Sequence, residues 1–484
     1  MIYIAYQNKK FRSQIEYIFD LILSIYEIEY KTVDYSQLSS LKNSVLIISY
    51  GKERPNLTFK YHIHIYESTL FGNNYLKPES MPERPLKRYN NLPIIYQGIK
   101  GIENHIKHSD NSIETDIDII ASSFFMLSRY EEVVLDKKDE FGCFPAKESL
   151  AYQENFLDRP IVNEYIELLW NWIDSFHLGY RRKSLWGDKD FSVCLTHDVD
   201  ILKKYRFYPP LRKMASLLLK YRNAKKSFAA AIDYLKAKIG KDPYDKFGYI
   251  MDSEDKYHFR SSFYFMANGD SELDANYKIG EKKVIDLIGK IEKRGNEVGL
   301  HLSFDSYNNL EKAESEKVRL DKIVKEKYGS RVHYLRWIPE TWRIQEKIGL
   351  LYDTTLTFAD HAGFRCGICL PYKPYDVIEN QRFDIWELPL IVMEASFQEL
   401  SHWSFSPNQG YEEIVKYIET VKKFNGLFVI LWHNSRLDEL QFPGWAQTYR
   451  KTMEYIAQQN VFNDTGKGII NYWKNKNVQG KVVN

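Results

Sequence analysis

Phe191-Ser-Val-Cys-Leu-Thr-His-Asp-Val-Asp200 is an apolar run that ends in two carboxylates and an imidazole. Hydrophobic runs of strand length usually close on turn formers such as Gly, Asn or Ser. This one closes on Thr196, His197, Asp198 and Asp200, groups that can bind a proton or a metal. Side chains alternate faces along a strand, so Asp198 and Asp200 point one way and Val199 the other. Two carboxylates side by side repel unless a cation or a shared proton lies between them. The stretch therefore predicts a metal site with a spare carboxylate for acid–base work.

Downstream, strands and helices alternate. Ser262–Met266, Glu297–Leu302, His333–Trp337, Trp386–Met393 and Leu427–Trp432 read as strands, and 281–294, 310–327, 411–424 and 444–459 as helices. Such alternation implies parallel strands joined by crossover helices, hence a barrel or a doubly wound sheet. Upstream, strands at Ile2–Tyr6 and Val45–Ser49 flank an amphipathic helix over 11–26, which predicts a smaller α/β domain. Helices are expected over 113–131 and 161–176, the second capped by Asp158 with Pro160 in its first turn. The polar stretch 178–190 separates the two parts. Residues 1–185 are expected to form the α/β domain, and 186–484 a second domain with a basic helical insertion at about 201–250.

Composition excludes several classes. The 484 residues carry 67 basic and 65 acidic side chains, a net charge of +2 that offers no global field for nucleic acid or an acidic membrane. No apolar run is long enough to span a bilayer, and the N-terminus lacks the charged lead and apolar stretch of a signal peptide, so a cytoplasmic protein is expected. Cys194 is expected to be a buried thiol, and Cys366 and Cys369 form one CxxC with no second pair to complete a zinc site. The charged run Glu311–Lys327 reads as a solvated helix face.

Four strands end in reactive groups: Asp198 and Asp200; His301, Ser303 and Asp305; Arg336 and Glu340; His433 and Asn434. Parallel α/β folds collect such groups at the carboxyl ends of strands. Asp200 and His301 can supply two metal ligands, and Asp305, four residues on, a third. Asp198 can accept a proton from attacking water and His433 can protonate the leaving group. Arg336 can hold Asp198 ionised, and Glu387 or Glu394 can orient His433. His197 is a candidate for the site's surroundings. Trp337, Trp342, Trp403 and Trp432 are candidates for stacking on a sugar ring, and no role is assigned to His333, His361 or His402. Together these residues describe hydrolysis of an ester or amide carbonyl.

Residues 190–440 resemble the polysaccharide deacetylases of carbohydrate esterase family 4, which share the NodB homology domain. The resemblance rests on Thr196-His-Asp-Val-Asp200, Gly299-Leu-His-Leu-Ser-Phe-Asp-Ser-Tyr307, Leu335-Arg-Trp-Ile-Pro339 and Leu431-Trp-His433. Val199 separates aspartates that are usually adjacent, Asp305 stands where a second histidine is usual, and the Arg/Pro motif has one extra residue. The resemblance implies a distorted (β/α) barrel that removes acetyl groups from N-acetylated sugars with zinc, or cobalt or nickel, in which Asp198 is the base, His433 the acid and His301 a ligand. Trp337, Pro339 and Trp432 then fall to the substrate. The alternatives are an O-acetyl esterase using the same site and a glycan-binding protein on a weakened enzyme. Residues 1–185, with Ser128-Arg-Tyr-Glu-Glu132, resemble the domain that precedes some bacterial members, to which no chemistry attaches.

Overall fold

The computed structural model describes residues 1–41, 46–205, 224–398 and 404–477. Two units form, one from Met1–Asp188, Phe364–Pro389 and the chain from Asn471 onward, the other from Lys189–Gly363 and Leu390–Ile470. The segment 364–389 and the part of the C-terminal helix (Gly466–Asn477) from Asn471 belong to the first unit rather than to the second. Local bonds explain this for 364–389: Gly367 O accepts from Val162 N at 2.8 Å, and Asn163 Oδ1 accepts from Cys369 N at 3.0 Å.

In the first unit, β1 (Ile2–Tyr6), α1 (Arg12–Ser24), β2 (Tyr30–Asp34), β3 (Leu46–Gly51) and β4 (His62–Tyr66) are followed by β5 (Ile106–Ser109) and β6 (Ser112–Thr115). The sheet order is β2-β1-β3-β4-β6-β5, parallel except for the final β5–β6 pair. The helix expected over 113–131 is divided. Its first residues alternate inside and out as β6, and Asp118 then caps α2 (Ile119–Leu127) by accepting from Ala121 N at 2.9 Å. The next long helix, α3 (Ile161–Asp174), begins after Pro160, which occupies the cap position expected of Asp158.

The second unit is built on β7 (Phe191–Val199), which is buried throughout. It continues through α4 (Phe247–Asp255), β8 (Ser261–Phe265), α5 (Lys282–Lys293), β9 (Glu297–Leu302), α6 (Leu310–Asp321), β10 (Ser330–Val332), α7 (Pro339–Lys347), β11 (Tyr352–Asp353), β12 (Val392–Met393), α8 (Pro407–Lys423), β13 (Leu427–Leu431), α9 (Trp445–Ala457) and β14 (Val461–Asn463). The strands run parallel in the order β11-β10-β9-β8-β7-β13-β12, with β14 also beside β7. From β7 to β11 strands consecutive in sequence are neighbours, and β12 and β13 pair on the other side of β7. This is the order of a (β/α) barrel, here a curled half-barrel sheet. All these strands end at one rim, so whatever follows each strand is gathered there. Of the expected insertion, residues 206–223 lie outside the described residues, and Ala224–Lys238 is a helix. No described helix is long and apolar enough to cross a membrane.

Candidate functional site

The carboxyl ends of β7, β9, β10 and β13 bring Asp198, Asp200, His301, His333 and His433 together. Register is the cause. His301 lies opposite Arg331 and Leu302 opposite Val332, so His333 follows β10 at the level of Ser303. Ligand atoms of Asp200, His301 and His333 all lie within 4.8 Å of one another. His301 Nε2 is 3.1 Å from Asp200 Oδ1, His333 Nε2 is 3.8 Å from Asp200 Oδ2, and His433 Nε2 is 3.4 Å from Asp200 Oδ2.

The donor set suits a divalent cation. His301 shares its Nδ1 with Arg331 O at 2.9 Å and His333 its Nδ1 with Asp274 Oδ1 at 3.3 Å, so each ring keeps Nε2 for the centre. His301 Nε2 and Asp200 Oδ1 are buried and have no hydrogen-bond partner. Buried polar atoms left unpaired are costly, and two facing one another at a cluster of donors is what a cation relieves. Two imidazoles and a carboxylate are the donors of catalytic zinc sites. Burial alone would raise the Asp200 carboxyl, but His333, His301 and His433 hold it well below the usual carboxylate range.

Two further groups flank this centre. Asp198 Oδ1 accepts from Arg331 Nη1 at 2.8 Å, and Asp198 Oδ2 lies 3.7 Å from His301 Nε2. Arg331 is fully buried, its other donors spent on Thr354 O, Thr354 Oγ1 and Thr196 Oγ1. On the other group, His433 Nδ1 shares a hydrogen with Glu394 Oε1 at 2.7 Å. Burial alone would lower the His433 pKa; the Glu394 carboxylate, then Asp200 and Asp198, overcome it and raise it to about 9. These carboxylates favour the protonated ring, whose Nε2 faces the centre. The adjoining cavity has a volume of about 630 Å³ and includes Lys203, Tyr244, Leu273, Tyr334, Met393 and Arg436 in its wall.

Several expected roles are corrected. Asp305 is half exposed, 3.5 Å from Lys312 and 3.8 Å from Arg336, and does not reach the ligand cluster; His333 takes its place. Arg336 is not the partner of Asp198. Its Nη1 donates to Phe304 O at 2.6 Å and its guanidinium lies 3.9 Å from the rings of both Phe304 and Tyr307, bracing the loop after β9. His197 is on the opposite face of β7 from Asp198, with its nitrogens on Trp432 O and Glu254 Oε1 at 2.8 Å each. Glu394, not Glu387, orients His433; Glu387 belongs to the first unit, where its backbone pairs with Tyr372. Trp337 and Trp432 are buried against Trp342 and Tyr449 respectively, and Pro339 is the first residue of α7. Trp403 and His402 lie outside the described residues. Cys194, Cys366 and Cys369 are buried and form no disulfide, and burial pushes their thiols up, which leaves them unreactive.

Arg331 and His333, which the sequence reading passes over, repeat the pattern of the other strand ends. Asp198-Val-Asp200, His301-Leu-Ser303 and Arg331-Val-His333 are each polar–apolar–polar, the pattern that aims two side chains at one face where a strand ends. The strand expected over His333–Trp337 is Ser330–Val332 instead, and Tyr334 and Leu335 turn away with positive φ of 60° and 56°.

Residues 3–177 match a family described as being of unknown function, DUF7033. No curated protein sequence matches the chain. Among solved structures, the chain is similar to a probable polysaccharide deacetylase from Pseudomonas aeruginosa PAO1, with 11% identity and a TM-score of 0.40 over 60% of this chain and 92% of that one. It is also similar to Puue allantoinase, with 13% identity and a TM-score of 0.37 over 60% and 92%. The peptidoglycan deacetylase PdaC from Bacillus subtilis aligns at 14% identity and a TM-score of 0.23 over 60% and 94%.

Proposed function

We propose that the second unit is a metal-dependent hydrolase that removes acetyl groups from an N-acetylated glycan. The observation that carries this is one cluster holding three kinds of group: the Asp200/His301/His333 donors, a carboxylate fixed by Arg331, and an imidazole oriented by Glu394. A divalent cation held by the donors would supply Lewis-acid polarisation of the scissile carbonyl.

The chain's own groups account for the remaining steps. Asp198, held by Arg331, accepts a proton as water oxygen bonds to the acetyl carbon. His433 Nε2 gives its proton to the sugar nitrogen as the carbon–nitrogen bond breaks. Acetate and a free amine result. Glu394 keeps the Nδ1 hydrogen in place, so that the ring presents Nε2 to the leaving group. The cavity of about 630 Å³ is large enough for a sugar unit.

The test is acetate release from acetylated chito-oligosaccharides by metal-stripped protein resupplied with Zn²⁺, Co²⁺ or Ni²⁺. Asp198→Asn should lose about 10²–10⁴-fold in kcat, the usual worth of a positioned general base. Full activity in that variant would sink the mechanism. O-acetylated glycans in the same panel separate amidase from esterase.

A further inference from the structure

The loop between β8 and α5 touches both sides of the candidate centre. Asp274, in this loop, has a buried carboxylate although its neighbours Glu272 and Leu273 are exposed. Its Oδ1 faces His333 Nδ1 at 3.3 Å and also accepts from Phe304 N at 2.8 Å, in the loop after β9. Its Oδ2 accepts from Ser271 N at 3.1 Å. One carboxylate therefore joins the loops that follow three consecutive strands.

The same loop is tied to the end of β7. Tyr277 OH donates to Val199 O at 2.6 Å, Leu202 N donates to Asn276 Oδ1 at 3.2 Å, and Asn276 Nδ2 donates to Lys203 O at 3.0 Å. These anchors lie on either side of Asp200. Gly269 permits the closure: a Cβ there would stand 2.3 Å from the Asp274 Cβ.

Resting on the metal-dependent reading above, we propose that Asp274 is a positioning residue for His333 and that its loop is a strap holding β7 and β10 at a fixed separation. An imidazole can face a cation with either nitrogen. A carboxylate on Nδ1 selects the tautomer whose Nε2 lone pair is free and orients the ring about its bond to Cβ. His301 gets the same service from the carbonyl of Arg331. His333, which leaves the strand into a left-handed turn, has no such carbonyl and takes Asp274 instead.

The test is Zn²⁺ titration of the metal-stripped full chain against a chromophoric chelator. Asp274→Ala should weaken binding about 10–100-fold. Asp274→Asn, whose amide oxygen can still accept from His333 and Phe304, should recover most of that loss. In a His333→Ala background, Asp274→Ala should change nothing further. Gly269→Ala alters no donor yet displaces Asp274, and should weaken Zn²⁺ in the wild-type background; it serves if Asp274→Ala does not fold. Wild-type affinity in Asp274→Ala, or a full additive loss in the His333→Ala background, would overturn the proposal while leaving the centre intact. Zn²⁺ binding that survives His301→Ala would overturn the centre and the proposal together.

Discussion

Both units end parallel strands in polar residues, but only in the second do an unpaired carboxylate oxygen and an unpaired imidazole nitrogen face one another at the rim, Asp200 Oδ1 and His301 Nε2, 3.1 Å apart. In the first unit the order β2-β1-β3-β4 reverses between β1 and β3, the place where open α/β sheets bind ligands. That crevice is filled from within. Gln7 bonds Glu53 through its backbone N and O, and a Cβ on Gly51 would strike the Gln7 side chain at 2.3 Å. Asn8 bridges Glu67 and Phe71 O, and Asp118 takes Tyr50 OH, Ser68 N and Ala121 N. In the second unit the equivalent rim leaves His301 Nε2 and Asp200 Oδ1 buried and unpaired beside an open cavity. A parallel sheet concentrates polar groups at its rim in either case. Whether they form a scaffold or a site depends on whether they satisfy one another.

The buried guanidiniums give the strongest way to break this contrast. Arg129 in the first unit spends its donors on Glu131, Glu132, Met126 O and Arg365 O. Arg331 in the second spends one on Asp198. Removing one partner of a buried ion pair strands the other charge, at about 3–5 kcal/mol. Arg129→Met and Arg331→Met should both lose stability on that scale in urea unfolding. Under conditions where both remain folded, only Arg331→Met should lose acetate release. Equal loss in both would erase the distinction between scaffold and site.

Next in size are opposed pH effects. Burial lowers His62 and His64 from 6.5 to about 3, so the folded state keeps both neutral where the unfolded chain binds protons. Their contribution is complete above pH 6.5 and falls as pH drops toward 3. Glu67 runs the other way, because burial raises its carboxyl from 4.5 to about 7. Its contribution is complete below pH 4.5 and is lost as pH rises through 7. Glu316, in the second unit, behaves as Glu67 does, with burial raising it to about 7. The first unit should therefore lose stability on both sides of neutrality. Urea midpoints across that range should show an acid limb that His62→Gln/His64→Gln flattens, with amide exchange assigning it to β3 and β4.

What sequence could and could not disclose follows the same division. Asp198, Asp200, His301 and His433 are legible because each closes an apolar run, which a one-dimensional pattern records. Arg331 and His333 are not, because their strand is three residues long and the stretch His-Tyr-Leu-Arg-Trp after it looks more like a strand than Ser330–Val332 does. Asp305 sits at a tempting spacing from His301, but pairing between strands, which spacing along one strand cannot encode, delivers His333 instead. The orienting carboxylates Glu394 and Asp274 come from separate loops and become visible only when the rim is assembled. No composition change marks the ends of the segment 364–389, so nothing in the sequence sets it apart from the barrel.

The aromatic residues supply the mildest test, since they ask which rings meet the cavity rather than whether it works. Trp337 and Trp432 are 2% and 1% exposed, so a sugar cannot stack on either. The Trp432 indole N–H is also buried without a hydrogen-bond partner, and Trp432→Phe removes that unpaired donor while leaving a small void against Tyr449. The two effects oppose, so a net loss of about 1 kcal/mol is expected. KM for an acetylated oligosaccharide should stay within about twofold for Trp337→Phe and Trp432→Phe. Tyr334 is half-buried in the cavity wall next to His333, and its loss takes a ring from the surface a sugar would meet. Tyr334→Ala should raise KM by about 2–10-fold, the worth of 0.5–1.5 kcal/mol of ring contact. A larger KM effect at Trp432 than at Tyr334 would mean that the substrate approaches through the core side of β13, and the cavity would then be the wrong entrance.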